Sequence, residues 1–108
     1  MKNLSNKVLL KQESFMMGNA FNGLSIVSYL QCNKLLISNE AEKPKENERV
    51  YALKEGGKIS ICYDKYNDLA QVTMYEGTPE NIAEDLRKIG NQSRERRNQE
   101  KYGLVGVY

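Results

Sequence analysis

Histidine and tryptophan are absent from the 108 residues, and cysteine and proline occur only twice each. Histidine is the commonest general base near neutral pH and the commonest metal ligand. Its absence removes Ser–His and Cys–His nucleophilic pairs and His-ligated zinc outright. Cys32 and Cys62 stand thirty residues apart, a spacing that fits no zinc or redox motif. Two free, buried thiols in a reducing, cytoplasmic setting are expected instead. Long apolar runs are also missing. The stretch around Leu35, Leu36 and Ile37 is far short of the ~18 residues of a membrane span, so no membrane contact is expected. The opening Met1-Lys2-Asn3-Leu4-Ser5-Asn6-Lys7 lacks the apolar core and cleavage site of a secretory leader.

Charge of one sign is scarce overall: 16 Lys and Arg face 14 Asp and Glu. The near balance hides an uneven distribution. Between Leu86 and Tyr102 six cations (Arg87, Lys88, Arg94, Arg96, Arg97, Lys101) meet only Glu95 and Glu100, a surplus of four, while the rest of the chain is slightly acidic. Richness in Asn and Lys matches the codon bias of an AT-rich genome, bacterial or phage.

The length allows one domain. Asn3–Met17 places Leu4, Val8 and Phe15 at helical spacing ahead of Gly18-Asn19, which predicts an N-terminal helix, with a strand over 8–15 as the rival. Gly18-Asn19 and Asn22-Gly23 bracket Ala20-Phe21 as turn signals. The β-branched and aromatic content of Leu24–Ser38 predicts two strands, about 24–31 and 35–38, with a single buried helix as the alternative. Glu40–Glu48 is charged and contains Pro44, so it is an exposed loop.

Val50–Lys54 and Ile59–Tyr63 flank Gly56-Gly57, which signals a hairpin. A two-residue loop there sets Ala52 opposite Ile61. One face then carries Val50, Ala52, Ile59, Ile61 and Tyr63, and the other Tyr51, Leu53, Ser60, Cys62, Gln71, Thr73 and Tyr75. Two tyrosines among hydroxyl and amide groups resemble a base-stacking platform. Leu69–Tyr75 forms a third strand. Thr78 as N-cap and Pro79 at the first helical position open a helix over 79–89, with Ile82, Leu86 and Ile89 as its apolar stripe.

The expected fold is therefore α+β. A small antiparallel sheet, a three- to five-stranded meander, is covered by a C-terminal amphipathic helix, with an N-terminal helix besides. Residues 1–89 make the globular domain. Residues 90–108 form a basic, polar extension and an apolar tail. If helical, the extension has no apolar stripe with which to pack.

Chemistry is sparse. Glu84 and Asp85 are adjacent and diverge on a helix, and Asp64 and Asp68 share a turn without a calcium-loop pattern. Gly56-Gly57 precedes a strand and not a helix, so it is no phosphate cradle. No cofactor, metal or enzymatic activity is expected.

The richest segment is Ser93–Lys101, with three Arg, one Lys and interleaved Asn and Gln. Guanidinium groups bind phosphate bidentately, and amides can read base edges. The segment resembles the arginine-rich helical peptides that phage antitermination proteins use on RNA hairpins. The likeness covers about nine residues and no function is carried over from it. A solvated helix end, with Arg96 pairing to Glu100, is the plain alternative.

Two functions follow as expectations for a small regulatory protein. In the first, RNA or DNA is contacted by Arg94, Arg96, Arg97 and Lys101, with Lys88 at the edge. In the second, the chain is an inhibitor or adaptor of a host protein. It would use the tail residues Leu104, Val105, Val107 and Tyr108, the loop 40–48 and an open sheet edge. The same tail could instead close a homodimer.

Overall fold

Alternation builds the first strand of the structure, a computed structural model that describes residues 11–101. Glu13, Phe15 and Met17 of β1 (Glu13–Met17) face one side, and Ser14 and Met16 face the other. The expected helix over Asn3–Met17 is thus a strand across 13–17, while residues 3–10 lie outside the described part. The alternation was masked because Met16 and Met17 are both apolar, although only Met17 is fully buried.

An N-terminal helix exists farther along. Asn19 accepts a hydrogen bond from the Asn22 backbone N–H (2.9 Å) and opens a 3₁₀ turn over Ala20–Asn22, which runs into α1 (Gly23–Cys32). The two strands expected within 24–38 are therefore corrected to the helical alternative. Ile26 and Leu30, four residues apart, are both fully buried, and tertiary burial overrides the strand propensity of the β-branched and aromatic residues around them. Lys34, at φ 55°, ends the helix, with Leu35 N–H returning to the Leu30 carbonyl.

The remaining strands are β2 (Glu48–Ala52), β3 (Lys58–Asp64) and β4 (Leu69–Met74). They form an antiparallel sheet in the order β1-β4-β3-β2. The fold is the expected α+β arrangement, four strands with a covering C-terminal helix. The register of the hairpin differs from expectation. Ala52 pairs with Lys58 and Tyr51 with Ile59, because Leu53–Gly57 forms a five-residue loop closed by Leu53 N–H to Gly57 O (3.1 Å). Gly56 and Gly57, at φ 114° and 82°, supply the left-handed backbone of that loop.

This odd-numbered shift exchanges the faces of β2. Tyr51 and Leu53 join the core, only 8% and 2% exposed, and Val50 and Glu48 turn to the other face. No two-tyrosine platform forms. The outer face instead presents Ser14, Met16, Gln71, Thr73, Ser60 and Cys62 in cross-strand rows, with Ser14 and Thr73 sharing a hydrogen bond (2.9 Å).

Both helices lie on the inner face. Ile59, Ile61, Ala70, Val72 and Met74 meet Ile26, Leu30, Ile82, Ala83 and Leu86 in one core. Burying each larger aliphatic chain contributes about 1.5–3 kcal/mol. The helix α2 runs Glu80–Lys101, well past the expected end at Ile89. Pro79 supplies its first accepting carbonyl, to Ile82 and Ala83 N–H, while the Thr78 hydroxyl donates to the Tyr75 carbonyl (2.7 Å).

The outer side of β2 is paired by Glu42, whose N–H and C=O both bond Val50 (2.9 Å each), and by Ile37 N–H to Ala52 O (3.0 Å). On β1, the carbonyl of Met16 accepts from Arg94 (2.6 Å).

Candidate functional site

The polar half of α2 is seated on the body by hydrogen bonds rather than by an apolar stripe. Gly90 does not stop the helix. It makes a notch for the Phe15 ring, whose Cε1 and Cδ1 would lie 2.6 and 2.7 Å from any Cβ placed there. One turn on, Ser93 is 3% exposed. Its hydroxyl oxygen accepts from the Gly18 N–H (2.7 Å) and from the Asn22 side-chain amide (2.6 Å). Arg94 reaches the Met16 carbonyl and Asn91 Oδ1, and its guanidinium lies 6.0 Å from the centre of the Phe15 ring. Arg97 donates to the carbonyls of Gly18 and Asp68. The expectation that the polar extension has nothing with which to pack is thus overturned for residues 90–97, where hydrogen bonding stands in for an apolar stripe.

The cations divide by their partners. Arg87 binds Glu13 (2.8 Å) and Glu80 (2.7 Å), the two salt bridges found among the described residues. Its guanidinium holds the Glu13 carboxyl below the usual range, and the two carboxylates push the Arg87 pKa up. Arg94 and Arg97 are held by carbonyl dipoles, which order them without cancelling their charge.

Arg96 is exposed on the flank facing α1. There it borders a groove of about 360 Å³ lined also by Ser25, Ser28, Tyr29, Cys32 and Gln92. Lys88 is exposed as well. At about 100° per residue, Arg94 and Arg97 fall on one side of the helix, Arg96 on another and Lys88 on the outer surface. The five candidate residues therefore do not form one stripe. Leu104, Val105, Val107 and Tyr108 lie outside the described residues.

Across the groove the Tyr29 hydroxyl donates to Asp85 (2.6 Å). Burial, and then this carboxylate, push the tyrosine up to about 12. An unfolded tyrosine titrates near 10. The stabilisation this group provides is complete below about pH 10 and is lost as pH rises through the window to about 12. Denaturant melts across that window should show stability falling, with a shallower fall in Tyr29→Phe. An identical slope in the variant would count against the assignment.

In the sequence Phe21 and Asn22 stand only as part of a turn and Ser93 only as the start of the basic segment, with no role for any of the three. The cue for Phe21 was present: a large aromatic between two turn signals. At 76% it is among the most exposed large apolar side chains described. Asp64, considered for a cation, instead accepts from Tyr66 N–H, Asn67 N–H and the Asn67 amide within its own turn. No helix among the described residues is long and apolar enough to cross a membrane. Compared with protein-family models, with curated proteins and with solved structures, the chain matches none.

Proposed function

We propose that this chain is a small non-enzymatic regulatory protein that contacts nucleic-acid phosphates through the C-terminal half of α2. The observation that carries the reading is the state of Arg94 and Arg97: each is fixed by backbone carbonyls, and among the described residues neither is bridged to a carboxylate. A guanidinium ordered in advance loses less entropy on meeting a phosphate, and its charge remains available. Arg96 adds an exposed cation on the α1 flank, Lys88 lies at the edge, and Lys101 follows one turn after Arg97. Cys32 and Cys62 are free but not buried as expected, Cys32 being exposed and Cys62 half-buried; unpaired thiols support a reducing, cytoplasmic setting.

Binding should be steeply salt-dependent. Three phosphate contacts give a slope of log affinity against log salt on the order of −2 to −3. Arg96→Gln should reduce the magnitude of that slope by roughly one and weaken binding evenly across sequences. Fluorescence polarisation with mixed-sequence RNA and DNA in low salt measures this. No binding at tens of micromolar overturns the reading and favours the host-protein partner, met through loop 40–48 or residues 104–108.

A further inference from the structure

We propose that the ligand is single-stranded, with an unpaired base stacked on Phe21 while neighbouring phosphates meet Arg96 and Arg97. This rests on the nucleic-acid reading above and sharpens it.

The first observation is exposure without slack. Phe21 is 76% exposed, yet the segment that carries it is fastened on both sides. Before it, Gly18 N–H bonds Ser93 (2.7 Å) and Ala20 N–H bonds the Asp68 carboxylate (3.1 Å). After it, the Asn22 backbone N–H bonds Asn19 (2.9 Å), and the Asn22 amide bonds Ser93 (2.6 Å). An aromatic ring offered to solvent on a fixed backbone is prepared to accept another flat ring at low entropic cost. Phe15, the other phenylalanine, is packed beneath Gly90 and serves the fold.

The second observation is charge next to the segment that carries that ring. The bonds that fix Phe21 run to α2 within the turn carrying Arg94, Arg96 and Arg97, and Arg97 itself holds the carbonyl of Gly18, three residues before Phe21. Asn22, next to Phe21 in the chain, lines the same groove as Ser25, Gln92 and Arg96, so amide and hydroxyl groups accompany the exposed cation there. An aromatic platform flanked by guanidinium groups suits a strand whose bases have free faces and whose backbone is charged. A duplex offers phosphates but keeps its base faces stacked on one another, so it engages the cations alone.

The chain has no tryptophan, so Phe21→Trp introduces a single reporter at an exposed position where folding is not at stake. The variant is titrated with single-stranded DNA, single-stranded RNA and a blunt duplex of equal length. The expected result is quenching of tryptophan emission by a single strand of either sugar and not by duplex, the tighter of the two polymers identifying the natural class. Phe21→Ala should weaken single-strand binding by on the order of tenfold and leave duplex binding unchanged, whereas Arg96→Gln weakens both. If duplex binds at least as tightly as single strand, with emission unchanged and Arg96→Gln still harmful, the stacking proposal fails while phosphate contact stands. If emission changes with protein concentration alone, Phe21 meets a second copy and the proposal fails. If none of the three polymers binds, the underlying nucleic-acid reading fails with it.

Discussion

Gly18→Ala should lower the free energy of unfolding by about 3 kcal/mol or more. In an ordinary backbone conformation this change stabilises a protein by roughly 0.4–1 kcal/mol, because it restricts the unfolded chain. The structure reverses the sign. A Cβ on Gly18 would be driven into the carbonyl oxygen of Ser93, 2.8 Å from the carbonyl carbon and 2.9 Å from the hydroxyl oxygen. The first two atoms belong to the backbone of α2 and cannot swing aside. The helix must back away from the end of β1, stretching the Gly18–Ser93 and Gly18–Arg97 hydrogen bonds together. Urea unfolding of the two proteins at one temperature gives the difference. A variant as stable as the parent would show that α2 is not seated on Gly18.

Ser93→Ala is the second large effect, about 2–4 kcal/mol of lost stability, and it arises without any clash. Two donors, the backbone N–H of Gly18 and the side-chain amide of Asn22, converge on one hydroxyl oxygen in a buried position. Removing that oxygen leaves both donors without a partner, and each unsatisfied buried group costs about 1–3 kcal/mol. Asn22→Ala alone removes one of the donors. The double substitution should then cost less than the sum of the single ones, since the groups share one acceptor. Denaturant melts of the four proteins supply the cycle, and strict additivity would dissolve the claimed coupling. Ser93→Ala also changes no charge. Any accompanying loss of nucleic-acid affinity would therefore report the loosened mounting of Phe21 and Arg97.

Much of this architecture could be read from the residues, and the failures have physical causes. The β2–β3 hairpin, strand β4 and the start of α2 carry local signals: a Gly-Gly turn, alternation, and Ile82 and Leu86 at helical spacing. The register of β2 failed because Gly56-Gly57 occupies the end of a longer loop, and the pair does not show how many residues precede it in the turn. Segment 23–32 is helical because Ile26 and Leu30 are needed on one side beneath the core, a demand set by distant strands. The seat of α2 was the least legible. Gly90 resembles a stop signal and is a notch; Ser93 resembles a solvated polar residue and is a buried acceptor. The charge of the basic segment was plain from the sequence. Which of its members are tied to carbonyls depends on where β1 ends.

The hydrogen bonds along the two outermost strands have a consequence for behaviour at high concentration. A naked strand margin is a template on which further chains can polymerise. Here the β2 margin is occupied by the chain's own residues 37 and 42, and on the β1 margin Arg94 sets a cation over the carbonyl of Met16. Growth of fibres by strand-by-strand accretion is blocked at the first at residues 50 and 52, and met by a positive charge at the second. Concentrated samples should therefore stay in solution for as long as α2 keeps its seat.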